Sequence, residues 1–359
     1  MAQVGRLAHP LYAQDLEAVA GCGADLSALE GATVGVAGAT GMVGTVLVDA
    51  LMAMAREGIL DVRVVALGRS EAKARGRLPW FGDPRFSFEG LDVSVPGACP
   101  QASADVVVHL ASATHPRAYA TRPIGTITSN VVGLQNLLGW ADASAGSSAR
   151  FLFASSVEVY GRSRGDVERF PEGYTGDIDC CTLRAGYPEA KRLGEALCQA
   201  WATERGTQVF VPRLPRLFGP TLLPSDTKAL SQFLHRAVAG EDVVLKSEGT
   251  QQFSYLYAAD AVCGLLWVLT RGDAGKAYNV SDPSCDVRLR DLASMVARAG
   301  GSQVVFDLPD EVERAGFSTA DKALMDGSRL KGLGWRPRFT LEDGVERTVR
   351  MLRDLSTLA

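Results

Sequence analysis

Ser156, Glu158, Tyr187 and Lys191 are the side chains of this sequence best suited to chemistry. Tyr187 and Lys191, in Tyr187-Pro-Glu-Ala-Lys191, lie one helical turn apart and share a face if that segment is helical. A nearby ammonium stabilises phenolate and lowers the tyrosine pKa, so Tyr187 can take a proton from an alcohol. Pro188 suits the first turn of such a helix, where its missing N–H has no partner to lose. Ser156 stands in Ser155-Ser156-Val157-Glu158-Val159-Tyr160-Gly161, at the mouth of an apolar strand, and can hydrogen-bond the same alcohol oxygen. Glu158 adds a carboxylate for a second proton. Tyr-x-x-x-Lys also arises by chance, and Glu158 also reads as a plain strand-end carboxylate. It is the order, serine first and then tyrosine and lysine on the next helical segment, that makes the set specific.

A second constellation lies upstream. Gly38-Ala-Thr40-Gly41-Met42-Val43-Gly44 follows a β-branched run and opens a helical pattern, the context a dinucleotide fingerprint requires. The first glycine permits a tight turn, and the second lets backbone N–H groups approach a pyrophosphate at the helix N-terminus. The third lets helix and strand pack closely. An acid normally ends the second strand and holds the adenosine ribose. Here the end reads Ala66-Leu67-Gly68-Arg69-Ser70, so Arg69, with Lys73, Arg75 and Arg77 behind it, suits a 2′-phosphate and NADP. A solvated basic helix face explains the same residues equally well. Asp92, after the third strand, is placed for the adenine edge or for an ordinary turn.

The elements that must position these groups alternate from residue 33 onward as short apolar runs and longer helical patterns, which predicts an α/β fold with a parallel sheet. The expected strands are Thr33–Ala37, Val62–Leu67, Asp105–Leu110, Phe151–Ser155 and Gln208–Val211, with weaker ones near Phe86–Leu91 and Ala277–Val280. Helices are expected at Val43–Arg56, Ile127–Ala141 and Pro188–Arg205. Residues 1–32 form a lead-in, with a short helix near Tyr12–Val19 packed on the sheet edge. Residues 33–220 form the dinucleotide-binding and catalytic domain. Residues 221–359 form mainly a substrate lobe, with 255–280 returning to the first domain.

Composition bounds the partners. The 359 residues are 47% hydrophobic and 22% charged with a net charge of −4, which argues against nucleic-acid or anionic-membrane surfaces. No apolar run is long enough to span a bilayer, and the first residues do not lead into a secretory core. Seven scattered cysteines fit reduced thiols in the cytoplasm. The histidines at 9, 109, 115 and 235 show no metal-ligand spacing, and His109 reads as the buried end of a strand.

Together these pieces resemble the extended short-chain dehydrogenase/reductase family, the branch of nucleotide-sugar epimerases, dehydratases and decarboxylases. The resemblance covers roughly residues 31–350. It adds His109-Leu110-Ala111-Ser112, Asn130-Val-Val-Gly-Leu-Gln-Asn136, Phe218-Gly-Pro220, Tyr257-Ala-Ala-Asp260, Ala277-Tyr-Asn-Val280 and Leu333-Gly-Trp-Arg-Pro337 to the motifs above. It implies a doubly wound parallel Rossmann sheet with a small C-terminal substrate-binding lobe, often as a homodimer. By the same resemblance Gly38, Thr40, Gly41, Met42, Val43, Gly44, Leu110, Ala111, Ser112, Tyr187 and Lys191 meet the dinucleotide, with Arg69 and Asp92 at its adenosine end. Asn130 would support the active site.

In that family, dehydratases and uronate decarboxylases commonly carry a glutamate where Glu158 stands. Some dehydratases have an aspartate just before it as general acid, and this chain has Val157. Two further departures fall in the substrate lobe. Arg216 stands where an asparagine is common, and Phe253 where an arginine commonly grips the diphosphate. Arg216 can supply that charge from the other wall, with Arg213 a weaker candidate because of a structural role; otherwise the substrate is not an ordinary nucleoside diphosphate sugar. The resulting expectation is a 4,6-dehydratase of a nucleotide sugar, with Tyr187 as base, Lys191 tuning it, Ser156 orienting the hydroxyl and Glu158 driving elimination. The alternatives are 4-epimerisation, uronate decarboxylation, and an NADPH-consuming reductase on a non-nucleotide substrate. A dinucleotide-binding protein without catalysis is a further class, which the intact serine, tyrosine and lysine argue against. Internal hydride return favours NAD, whereas Arg69 leaves NADP open.

Overall fold

The computed structural model describes residues 5–112, 121–307 and 321–357. Its strands begin with β1 (Thr33–Ala37), β2 (Arg63–Gly68), β3 (Phe86–Gly90), β4 (Val106–His109), β5 (Arg150–Phe153), β6 (Ser155–Ser156) and β7 (Gln208–Leu214). They continue with β8 (Arg216–Phe218), β9 (Val243–Leu245), β10 (Gln252–Tyr257), β11 (Ala277–Asn279), β12 (Asp286–Arg288), β13 (Val304–Phe306) and β14 (Lys322–Ala323). The helices begin with α1 (Pro10–Ala20), α2 (Met42–Arg56), α3 (Glu71–Arg77), α4 (Pro123–Ala145) and α5 (Gly186–Arg205). They end with α6 (Ala229–Val238), α7 (Ala258–Arg271), α8 (Leu289–Gly300), α9 (Ser328–Leu333) and α10 (Leu341–Thr357).

Period-two burial makes this a three-layer molecule. Val34, Val36, Val64, Ala66, Val106 and Val108 face one core with α1, α2 and α7. Their neighbours Ala37, Val65, Leu67 and Val107 face a second core with Leu134, Leu137 and Leu138 of α4 and Cys198 of α5. Strands buried on both faces read as continuous apolar runs, as these do. The parallel order is β11-β7-β5-β4-β1-β2-β3, with β6 also paired to β7. The order reverses between β1 and β4, and ligands of such sheets bind in the crevice beyond the strand ends at that point.

A second, smaller sheet runs β12-β10-β14 with β8 on β10, and β9 pairs with β13. Chain segments cross between the sheets repeatedly: β8 follows β7 directly, and β11 returns to the large sheet after β10.

Two expectations need correcting. The strand expected over Phe151–Ser155 is broken at Ala154, whose carbonyl accepts a hydrogen bond from Lys191 Nζ at 2.8 Å. The N-terminal helix packs on α2 and α7, not on the sheet edge. Buried polar contacts hold it there. Asp49 of α2 accepts from Arg6 Nε at 2.8 Å, Tyr12 at 2.7 Å and Trp80 at 2.8 Å. Asp15 accepts from Tyr257 at 2.6 Å and from Arg347 Nη2 at 2.7 Å.

Candidate active site

The glycine loop is shaped for close approach of a ligand. Gly38 has φ +87, and a Cβ there would lie 2.7 Å from the Ala111 nitrogen and 2.8 Å from the Leu110 carbonyl carbon. A Cβ on Gly44 would lie 2.2 Å from the Gly38 oxygen. Helix α2 starts at Met42 with Gly41 as its N-cap and no side-chain cap, so its first N–H groups stay available for an anion. Thr40 lies in the loop and Val43 in the first turn of α2, Ala111 after β4 approaches Gly38, and buried Ser112 Oγ has no hydrogen-bond partner among the described residues. These features fit a dinucleotide. Arg69 is exposed at the end of β2; its charge and that of Arg77 add to burial in lowering the Lys73 pKa. Asp92 accepts from Ser94 N at 3.0 Å and Ser94 Oγ at 2.6 Å, which is the geometry of an ordinary turn.

Across the crevice lie the four candidate catalytic residues. Ser156 ends β6 and caps the turn Val157–Tyr160, accepting from Glu158 N at 3.2 Å. The Tyr187 phenol hydrogen-bonds Ser156 and feels the charge of Glu158. Lys191 Nζ lies 4.5 Å from the centre of the Phe153 ring and 5.9 Å from that of Tyr187. Pro188 sits in the first turn of α5, as its missing N–H allows. A half-buried serine with a buried tyrosine and lysine, in a fold with a glycine-rich dinucleotide loop, can move a proton to or from an alcohol as a hydride moves.

Residues 34–281 match the NAD dependent epimerase/dehydratase family. The chain belongs to that family. UDP-glucuronic acid decarboxylase 1 of Xenopus tropicalis is 30% identical over 323 residues, covering 89% of this chain and 71% of that protein. UDP-glucuronic acid decarboxylase 3 of Arabidopsis thaliana is 29% identical over 315 residues, 86% of each. A UDP-galactose 4-epimerase structure superposes with TM-score 0.71 at 27% identity, covering 91% of this chain and 99% of that one. The fold is also that of a Streptomyces venezuelae dTDP-glucose 4,6-dehydratase solved with NAD, with TM-score 0.73, 24% identity and coverage of 90% and 97%. The extended short-chain dehydrogenase/reductase assignment and the Rossmann-like fold follow.

In this epimerase/dehydratase-family chain the charge states differ from the simple expectation of an ammonium lowering a phenol's pKa. Burial pushes the Tyr187 phenol well up, against the hydrogen bond from Ser156. Burial also lowers Lys191 to about 7, with Cys198 and Glu195 opposing. Desolvation dominates both shifts because both groups are withdrawn from water. His109 is buried at the end of β4 and lowered to about 3, first by burial and then by Lys191. Neither ring nitrogen of His109 has a partner among the described residues.

The Lys191 shift makes stability depend on pH. The native lysine sheds its proton near pH 7 and the unfolded one near 10.5. The cost of charging a buried ammonium therefore grows as pH falls from about 10.5 to 7 and is complete below that. Lys191→Met is expected to stabilise the dinucleotide-free protein at pH 6.5 by a few kcal/mol, on the order of what a shift of this size implies. The gain should fade towards pH 10 in urea unfolding; no gain at pH 6.5 would contradict it.

Several supporting residues escaped the sequence reading. Glu195, two turns along α5 from Tyr187, accepts from Ser155 Oγ at 2.5 Å and from Arg213 Nε and Nη2 at 2.9 and 2.6 Å. Arg213 Nη1 also donates to Tyr160 at 3.0 Å, and Tyr160 donates to Asn279 at 2.5 Å. Arg213 is thus a structural cation. Only the i, i+4, i+8 spacing of Tyr187, Lys191 and Glu195 hinted at this network. Val157 and Val159 pack with Tyr160, Phe170, Tyr174 and Met325, which anchors the turn bearing Glu158. Asn130 is buried and donates to the Thr126 carbonyl at 2.8 Å. The Arg216 guanidinium lies over the Phe253 ring, with its carbon 3.6 Å from the ring centre. Among the described residues no group of His, Cys, Asp or Glu is arranged to hold a metal, and no helix is long and apolar enough to cross a membrane. His115 lies outside the described residues.

Proposed function

We propose that this protein decarboxylates a nucleoside diphosphate hexuronate through oxidation at carbon 4. The observation that carries the reading is Val157, which is buried in an apolar cluster directly before Glu158. Expelling a 6-hydroxyl as water calls for a proton donor to the leaving oxygen, and the position where some dehydratases hold an aspartate is apolar here. Loss of carbon dioxide from a 3-keto acid needs no such donor. Similarity to UDP-glucuronic acid decarboxylases along most of the chain supports the same choice.

In the derived mechanism Ser156 orients the 4-hydroxyl and Tyr187 takes its proton. Lys191 holds positive charge beside the phenolate. The Gly38–Gly44 loop and the N-terminus of α2 would hold NAD, which would supply the hydride acceptor for carbon 4 and the hydride for its later reduction. With a ketone at carbon 4, the bond from carbon 5 to the carboxylate breaks and its electron pair forms the enolate. Glu158 delivers a proton to carbon 5, and Tyr187 returns its proton as carbon 4 is reduced. The cycle is redox-neutral, so NAD stays bound, which favours NAD over the NADP that Arg69 leaves open.

A 4,6-dehydratase is the second reading, favoured by Glu158 itself: a carboxylate two residues after Ser156 is placed to remove the carbon 5 proton. The test is mass spectrometry of products from nucleoside diphosphate hexoses and hexuronates with no reductant added. Loss of carbon dioxide from a hexuronate is the expected result. Loss of water from a hexose would replace the proposal with the dehydratase, and an isomer of equal mass with the epimerase.

The active form is a homodimer in the cytoplasm. Ile124 is 79% exposed and Ile127 43% on α4; Leu183 is 64% exposed just before α5 and Leu193 52% exposed on it. A second copy packed over α4 and α5 would cover these side chains. The reduced state of all seven cysteines fits that compartment.

A further inference from the structure

Arg216 and Phe253 form one unit. Arg216 opens β8 and pairs in register with Tyr255 of β10, two residues beyond Phe253. The guanidinium carbon lies over the Phe253 ring, 3.6 Å from its centre. Tyr255 stands edge-on to Phe253 with ring centres 6.4 Å apart, and the Arg216 charge opposes the burial that raises its phenol pKa. Stacking occupies the face of a guanidinium and leaves its planar edge of N–H donors free. On that edge Nη1 is shut off from solvent and has no hydrogen-bond partner among the described residues. Arg213, three residues earlier, shows the contrast: its guanidinium is consumed by Glu195, Tyr160 and the Glu172 carbonyl.

The position matters as much as the missing partner. Leu214 pairs in register with Ser156, and Arg216 follows it by two residues. Chain reach and strand spacing place the Arg216 Cα within about 12 Å of that of Ser156. The backbone of Arg216 thus lies close in the fold to the strand end that carries Ser156, with its guanidinium held against Phe253.

We infer that Arg216, braced by Phe253, is the oxyanion-binding group of the substrate cleft and specifies a substrate carrying a diphosphate or a carboxylate. This inference rests on the nucleotide-sugar reading above for its biological ligand. A bidentate guanidinium–oxyanion pair satisfies the donors that stacking leaves open. Phe253 orders the guanidinium before the ligand arrives, which cuts the entropy lost on binding. The edge is planar and two-pronged, so a lysine ammonium is a poor substitute.

The test is calorimetric titration of the full-length NAD-loaded protein with UDP, UDP-glucose, UDP-glucuronic acid and inorganic pyrophosphate. Arg216→Met keeps the stem and removes the charge, Arg216→Lys keeps the charge and removes the fork, and Phe253→Leu removes the brace. Arg216→Met is expected to weaken binding at least ten-fold, Arg216→Lys to restore only part of it, and Phe253→Leu to weaken it less than Arg216→Met. Equal loss for all four ligands assigns the diphosphate; loss confined to UDP-glucuronic acid assigns the carboxylate. If the wild-type protein binds the UDP compounds and Arg216→Met binds them within two-fold, the inference is overturned and the nucleotide-sugar reading stands. If the wild type binds no UDP compound, that reading fails, and pyrophosphate binding that depends on Arg216 upholds the arginine while its absence overturns it. Should Arg216→Met unfold, the comparison of Arg216→Lys with wild type decides in the same way.

Discussion

Tyr187→Phe is expected to slow product formation by about 10²–10⁴-fold, the usual worth of a positioned general acid–base group, while dinucleotide binding persists. The substitution removes one hydroxyl and leaves the ring that packs near Lys191. The lost group is the one hydrogen-bonded to Ser156, so Ser156 alone would face the substrate alcohol. The phenol is buried and its pKa is raised, so it holds its proton in the dinucleotide-free protein. Deprotonation must then be driven by charge that arrives with the bound oxidised cofactor and by Lys191. Single-turnover assays with bound NAD are the direct check. A wild-type rate in Tyr187→Phe would remove the base from the mechanism and the mechanism with it.

Glu195→Ala is expected to destabilise the protein by about 3–5 kcal/mol, the cost of stranding one member of a buried ion pair. Arg213 and Glu195 are 12% and 16% exposed in their side chains and meet through two hydrogen bonds. Burial opposes the Arg213 charge, yet Glu195 and Tyr160 together more than compensate and its pKa rises. Without the carboxylate, the guanidinium keeps only Tyr160 and the Glu172 carbonyl. Ser155 also loses its 2.5 Å acceptor, on the strand beside Ser156. Removing both charges in Glu195→Leu/Arg213→Leu should cost less than the sum of the two single changes. Urea unfolding measures this, and a loss under about 1 kcal/mol in the single variant would show that the pair contributes little.

The elements that carry the candidate residues were legible because their signals are local. A glycine triplet after a strand, a serine at a strand mouth and a tyrosine–lysine pair at helical spacing are each contained in one element. The alternation of Val34, Val36, Val106 and Val108 with their neighbours likewise revealed a two-faced sheet. The supporting polar contacts were not legible, because they join residues far apart in sequence. Arg213 meets Glu195 across 18 positions and Tyr160 meets Asn279 across 119. Nothing in either partner's own neighbourhood announces the other. The break at Ala154 was hidden too: an apolar run promised an unbroken strand, and the carbonyl there meets a lysine on a later helix. The position of α1 was missed because it depends on buried carboxylates at Asp15 and Asp49, a residue type whose prior is the surface. Arg216 and Phe253 stood out singly as departures from a pattern, but only the structure shows them stacked.

The contact between Asp15 and Arg347 sets an order of events in time. The two residues are separated by 332 positions. At about 5–20 residues per second on a ribosome, the carboxylate emerges on the order of tens of seconds before its arginine is made. Throughout that interval α1 has α2, with Asp49 to receive Arg6 and Tyr12, but it lacks Arg347. The first helix of the nascent chain therefore meets α2 early, Tyr257 and α7 later, and Arg347 last.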